Sequence, residues 1–500
     1  MMRRALLLSA SLAFLPSLAA AVPRLLVVLS VDQMRADYLD RYSGKFTSGF
    51  KILFETGAVL TSARHDHVPT ETAPGHAAIL TGRTPDRHGI VGNDWFDRAT
   101  GKETYCVSDE VHGKGPQNLE AYTLGDILKS KSPKSLVVSF SLKDRAAILM
   151  GGHKADAAVW WDKSKGEFVT SSYYARPAWL DDFNAKLKVP GGPLAGAPTT
   201  FFSKLLDTPK ADRLLLDLVE RAILEYPLGE DEATDILIVG FSGTDYVGHT
   251  YGPDSKQMSQ QLLALDGEIG ELLKVLGSKN GVAVALTADH AVMPLPESAW
   301  GKEVKAKRLM DKDLQAAAEK ALQALQPAPG QNWVLGLSMP NLFVNRELAR
   351  SRGLDWGLWL RQAAQAVGKL DGLSYAYVAG EVRAVAAPQA PIPGMADPRP
   401  VEQRFAAEHE RSFFPGRSGD LLLLARENVL IAFDKTGTTH GTPYDYDARV
   451  PMIFWGADFN TGLYAAPARV TDFAPTLGAA LGVPFEPARG SRVWTEVLKR

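Results

Sequence analysis

Ile236-Leu237-Ile238-Val239-Gly240-Phe241-Ser242-Gly243-Thr244-Asp245-Tyr246-Val247-Gly248-His249 is the stretch that decides how this chain folds. Its first six residues are apolar without alternation and are closed by Ser and Gly, the pattern of a strand buried on both faces of a parallel sheet. Asp245 and His249 follow four apart, so on one helical turn both project from the same face and can meet a single ion. Two other runs end the same way: Leu25 to Ser30 leads to Asp32, and Val282 to Leu286 leads to Asp289 and His290. Open α/β sheets place their sites beyond the carboxyl ends of their strands. The expected fold is therefore α/β, a largely parallel central sheet flanked by helices, with a metal site where the three runs end.

Adding His440, in the glycine-flanked Thr438-Thr439-His440-Gly441, makes three carboxylates and three imidazoles. This mixed nitrogen and oxygen set suits zinc better than magnesium or calcium, and two tetrahedral sites with one open position each would use all six. Each piece has a plainer reading: an isolated Asp after a strand is most often a helix cap, and a lone Asp-x-x-x-His is commonly a surface pair. Three strand-end carboxylates with two correctly spaced histidines rarely arise from capping. Two close metals clamp the attacking and leaving oxygens of an in-line phosphoryl displacement. A hydroxyl nucleophile is available at a helix start in Val68-Pro69-Thr70-Glu71-Thr72-Ala73-Pro74-Gly75-His76. There, unpaired N–H groups and the helix dipole favour both an alkoxide and a phosphate. Spacing leaves Thr72 and Thr70 both open, and leaves Thr72 open as an ordinary N-cap.

Around these motifs the spacing predicts helices over 46–56, 72–80, 119–131, 210–224 and 255–276, and buried strands over 135–140 and 450–455. It also predicts a hairpin over 95–107 and a second hairpin over 159–174 laid across the sheet. Between His290 and His440 the texture changes, with a Pro/Gly loop at 327–331, an amphipathic helix around 356–367 and a proline-rich stretch at 387–400. Site residues lie on both sides of it, so one catalytic domain over 22–500 is expected, with a cap inserted at about 291–435. Arg3 and Arg4, the apolar stretch from Ala5 to Leu18 and Ala19-Ala20-Ala21 have the layout of a cleaved signal peptide over 1–21. Export to the periplasm or outside follows, with no membrane span after cleavage. Cys106 is the single cysteine, so no intramolecular disulfide can form. With 55 basic against 57 acidic residues there is no electrostatic footprint for nucleic acid, and an anionic substrate must be held by local groups.

The ordered set Ser30-Val31-Asp32, Pro69 to His76, Thr81-Gly82, His88-Gly89-Ile90, Asn93, Gly243 to His249, Ala288-Asp289-His290 and Thr439-His440-Gly441 resembles the alkaline phosphatase superfamily. More narrowly, it is similar to the exported bacterial branch with a threonine nucleophile, related in core fold to nucleotide pyrophosphatases/phosphodiesterases. The resemblance implies that Asp245, His249 and His440 hold one zinc and that Asp32, Asp289 and His290 hold the other, with Thr72 bridging to the second. It implies two Zn2+ per chain, Thr72 rather than Thr70 as nucleophile, and Asn93 on a phosphoryl oxygen. In Ser141-Leu142-Lys143-Asp144-Arg145 it assigns Lys143 and Arg145 to the phosphoryl group of a monoester, a pair the phosphodiesterase relatives typically lack.

The charge count points the same way. Three carboxylates and a Thr72 alkoxide cancel two zinc ions, leaving a dianionic phosphoryl group for other cations, and a guanidinium can grip phosphate with a bidentate fork. The expected function is hydrolysis of small-molecule phosphate monoesters through a phospho-threonine. A phosphodiesterase is the alternative within enzymes, and a catalytically silent zinc protein the alternative outside them. A sulfatase is disfavoured because Cys106 sits in Tyr105-Cys106-Val107-Ser108, outside any Cys-x-Pro-x-Arg segment. His65, His67, His76 and His88 are expected to support the loops and helix around the nucleophile, and Cys106, Trp160 and Trp161 to pack. The oligomeric state is not written in the sequence.

Overall fold

The computed structural model describes residues 22–189, 192–193, 204–382 and 399–499. Seven strands of the principal sheet come first in the chain: β1 (Leu25–Val31), β2 (Ala58–Leu60), β3 (Val137–Ser141), β4 (Ala157–Asp162), β5 (Glu167–Val169), β6 (Asp235–Phe241) and β7 (Val282–Thr287). A second, antiparallel sheet follows, made of β8 (Val334–Ser338), β9 (Asn341–Val344), β10 (Leu373–Val378) and β11 (Leu421–Ala425). The chain then returns to the principal sheet with β12 (Met452–Gly456) and β13 (Gly462–Tyr464).

The principal sheet has the order β5-β4-β3-β6-β1-β7-β12-β2-β13. Its five central strands, β4-β3-β6-β1-β7, are all parallel, and antiparallel pairs close it on either side. Every residue of β1 and β6 is buried, which is why neither shows the alternation of a strand with one wet face. In this register Ser30 lies opposite Gly240 on one side and Thr287 on the other. The residues that follow β6, β1 and β7 therefore leave the sheet side by side.

The flanking helices include α1 (Gly49–Thr56), α2 (Thr72–Thr81), α3 (Leu124–Lys131), α4 (Asp144–Gly151), α5 (Lys210–Glu225), α6 (Gly243–Tyr251) and α7 (Lys256–Leu276). All ten residues of α2 are buried. A Cβ at Gly75 would sit 2.1 Å from the main-chain oxygen of Asp289, so glycine is what lets α2 lie against the end of β7. The second sheet has its own apolar core, centred on Trp333, Leu342, Trp359 and Leu423. It meets the principal body where Phe343 packs on Phe96, ring centroids 5.6 Å apart.

Several expectations need correction. The hairpin expected over 159–174 is not laid across the sheet: β4 is a member of it, parallel to β3, and β5 pairs with β4 as the edge strand. The helix expected from 46 begins at Gly49, because the Asp266 carboxylate on α7 accepts the N–H groups of Thr47, Ser48 and Phe50. The helix expected from 119 begins at Leu124, where Thr123 and Asp126 form a capping box. The residues expected to form a signal peptide, 1–21, and positions 387–398 of the proline-rich stretch lie outside the described residues. No helix among the described residues is long and apolar enough to cross a membrane.

Candidate active site

Four adjacent strand ends supply the site. Going along the sheet, β3 leads to Lys143 and Arg145, β6 to Asp245 and His249 on α6, β1 to Asp32, and β7 to Asp289 and His290. Thr72 opens α2 above them, and His440 arrives from the chain beyond the second sheet. The six expected metal ligands, Thr72, Asn93, Lys143 and Arg145 lie at this one end of the sheet.

Three groups of side chains offer donor atoms close enough to share an ion: Asp245, His249 and His440; Asp32, Asp245 and His290; and Asp32, His76 and Asp289. His290 Nε2 lies 3.5 Å from Asp32 Oδ1 and 3.3 Å from Asp289 Oδ2. His249 Nε2 is 3.1 Å and His440 Nε2 3.8 Å from Asp245 Oδ1. His76 is a partner rather than a free donor, since its Nδ1 bonds the Thr72 carbonyl at 2.8 Å and its Nε2 meets Ser30 Oγ at 3.1 Å.

The donor set fits metal cations on the geometry of its histidines. His249, His290 and His440 each turn Nδ1 onto a main-chain carbonyl, of Thr438, Ala291 and Thr70 respectively. A carbonyl only accepts, so each Nδ1 donates; in the neutral rings of His290 and His440, which burial holds below the ordinary histidine range, the Nε2 lone pair then points at carboxylate oxygen, while Asp245 outweighs burial and pulls His249 upward. Burial pushes His290 down to about 4, against the pull of Asp289 and Asp245, so its ring is neutral. Lone pair facing lone pair is repulsive unless a cation lies between, and a second ring nitrogen fixed on a carbonyl is how metal-binding histidines are oriented. Asp32 makes the same demand, whereas the neighbouring histidines and Lys143 hold Asp245 and Asp289 below the ordinary carboxylate range against burial. Burial, then Asp245 and Asp289, push Asp32 well above its ordinary range, and its Oδ1 is buried without a hydrogen bond.

One fixed cation already serves this cluster. Lys143 Nζ lies 2.5 Å from both Asp32 Oδ2 and Asp245 Oδ2 and 3.4 Å from Thr72 Oγ1. Burial works against its charge, but Asp245 and Asp32 outweigh burial and hold the ammonium above the ordinary lysine range. Arg145 Nη2 approaches the same hydroxyl at 3.5 Å, while its Nη1 rests on Tyr105 Oη. Among the described residues Arg145 has no carboxylate within ion-pair distance. Asn93 uses Oδ1 to accept the Ala73 N–H at 2.9 Å, and its own N–H donates to Glu71 Oε2. Its side-chain amide N–H groups are left aimed by that arrangement, with no bond to a described residue. Thr70 faces away, donating to the Thr442 carbonyl.

Gln33 carried no signal in the sequence. It follows Asp32 with φ +65°, an uncommon conformation for a residue with a side chain. There its N–H donates to Asp289 Oδ1 at 3.1 Å and its side-chain amide to Asp245 Oδ1 at 2.7 Å, tying the ends of β7 and β6 together. His65, His67 and His88 are buried beside the nucleophile loop. His65 Nε2 meets the Ala288 carbonyl and His88 Nδ1 accepts the Ile90 N–H, both supporting contacts.

A family model described as type I phosphodiesterase / nucleotide pyrophosphatase matches residues 26–445. Alkaline phosphatase PafA of Elizabethkingia meningoseptica is 30% identical over 96% of this chain and 95% of its own length. Alkaline phosphatase PhoD of Zymomonas mobilis is 33% identical over 92% of this chain and 86% of its own. The crystal structure of wild-type PafA superposes with a TM-score of 0.85 at 29% identity, covering 96% of this chain and all of that one.

Proposed function

The chain belongs to the type I phosphodiesterase / nucleotide pyrophosphatase family, within the alkaline phosphatase superfamily, and from that premise we propose that it is an alkaline phosphatase that hydrolyses phosphate monoesters through a phospho-threonine on Thr72. Asp245, His249 and His440 would hold one zinc ion and Asp32, Asp289 and His290 a second, with Thr72 reaching the latter. Bound there, zinc supplies Lewis-acid stabilisation of oxygen anions and lowers the pKa of oxygen ligands. The observation that supports monoester hydrolysis most is the convergence of Lys143 and Arg145 on Thr72 Oγ1.

The remaining roles follow from the chain's own groups. Lys143 keeps a positive charge beside Oγ1, which favours the alkoxide. Thr72 Oγ forms a bond to phosphorus as the bond to the leaving oxygen breaks. Arg145 and the Asn93 amide, free of carboxylate partners, present N–H donors to the phosphoryl oxygens, where charge-assisted bonds strengthen as the transition state forms. Water then hydrolyses the ester, releasing inorganic phosphate and regenerating the hydroxyl. Positioning and charge stabilisation carry such a reaction. The substrates are small molecules, the enzyme is exported after loss of residues 1–21, and the region of about 291–435 acts as a cap inserted in the catalytic domain.

A phosphodiesterase is the competing reading, favoured by the family description. The kcat/KM ratio between an aryl phosphate monoester and its methyl diester separates the two. Arg145→Ala should cost the monoester roughly 2–4 kcal/mol, about 30- to 1,000-fold, and the diester much less. Lys143→Ala should behave alike. A wild type that prefers the diester, or equal losses on both substrates, moves the assignment to phosphodiesterase.

A further inference from the structure

Beyond Lys143 and Arg145 the site opens into a cleft of ≈ 720 Å³, within the range of small-molecule pockets. It is walled by Tyr246 and Trp160 and reached by three further lysines, Lys114, Lys163 and Lys165. Most of this positive charge is spoken for. Lys114 pairs with Asp144, Lys165 lies 3.9 Å from Asp162, and Lys143 is held by Asp32 and Asp245.

Lys163 is different. Among the described residues no carboxylate comes within ion-pair distance of it, although Asp144, Asp207 and Asp245 face it from farther off. Its Nζ lies 4.9 Å from the centre of the Tyr246 ring, and Lys143 Nζ lies 5.3 Å from the same ring. One ring thus carries two ammonium groups, one at the phosphoryl position and one farther out. An anion arriving between these cations would relieve their repulsion.

We propose that this cleft is a leaving-group subsite for monoesters whose alcohol carries a second phosphate, with Lys163 as its recognising cation and Tyr246 as the surface that positions it. The inference rests on the monoesterase reading: the first phosphoryl group occupies the Thr72 position, and the second reaches Lys163. Lys165, already near Asp162, contributes less. Phosphorylated leaving groups are then bound more tightly than neutral ones, chiefly in KM.

The test compares propyl phosphate with 1,3-propanediol bisphosphate on the metal-loaded enzyme at low ionic strength, counting the two equivalent ends of the latter. The wild type should favour the bisphosphate, and the preference should shrink with added salt. Lys163→Ala should lower kcat/KM for the bisphosphate about five- to twenty-fold through KM, and for propyl phosphate by less than about two-fold. Lys163→Glu should deepen the loss, and Lys165→Ala should give a smaller one. Equal effects of Lys163→Ala on both substrates, or none on either, overturn the subsite while leaving the monoesterase reading intact. A wild type that hydrolyses neither ester while cleaving diesters overturns both. An unchanged melting temperature of Lys163→Ala, an exposed turn residue, assigns the loss to binding.

Discussion

The two halves of the proposed metal centre are built in different ways. Asp32, Asp289 and His290 leave adjacent parallel strands and are wholly buried. Asp245, His249 and His440 join one strand end to a residue that returns only after the second sheet has been threaded. His249 is 36% exposed along its side chain, where His290 is 0%. The first half is preorganised by sheet register. The second depends on long-range contacts: Thr438 on His249, Thr70 on His440, and the face-to-face stacking of His440 on His290 at 3.6 Å.

The largest test of that contrast removes one histidine from each half. His290→Gly should lose one equivalent of bound zinc and on the order of 10³-fold or more in kcat/KM, with no recovery when imidazole is added, because nothing reaches its place. His249→Gly should also lose an equivalent but be partly rescued by imidazole, because its place opens to solvent. Equal rescue of both variants would erase the distinction.

Gln33 sharpens the comparison, since it touches both halves with different atoms. Its N–H on Asp289 survives any substitution that keeps the backbone, whereas the amide on Asp245 does not. Gln33→Leu should weaken zinc at the Asp245 half by about 10- to 100-fold, the usual effect of losing an outer hydrogen bond, and spare the other half. Competition with a chelator, read as two separate affinities, would show it. Equal weakening of both would mean that the turn itself had collapsed.

The smallest effect lies away from both halves. Burial, then Asp212, push Glu268 on α7 up to about 9. The unfolded chain releases that proton near the ordinary carboxylate value and the folded chain not until about 9. This contribution to stability is therefore full at acid pH and is lost as pH rises through that window. Glu268→Gln should flatten the decline, visible as a higher melting temperature at pH 8 than wild type and little difference at pH 4. Both zinc affinities should stay unchanged. A melting temperature that fell equally at both pH values would remove Glu268 as the cause.

The strand-end residues were legible because a strand buried on both faces reads as an unbroken apolar run, and Asp32, Asp245 and Asp289 each close one. The antiparallel pairing of β4 with β5 was legible in their alternation, but its place was not, because parallel pairing with β3 is what draws β4 into the sheet. The start of α1 could not be read near Ser48, because the carboxylate that caps it comes from Asp266, 218 residues away. Gln33 and Lys163 left no mark at all: one acts through a backbone angle, the other through a ring on a different element.

From its one-dimensional pattern alone, the chain determined the parallel sheet, the six donor side chains and the threonine-bearing helix, because burial periodicity and ligand spacing are local properties. Tertiary structure decided which nitrogen of each histidine faces the carboxylates, that Lys143 and Arg145 meet at Thr72 Oγ1, and that Gln33 spans two strand ends. Those relations depend on register and on contacts between residues far apart in sequence, and no local pattern carries them.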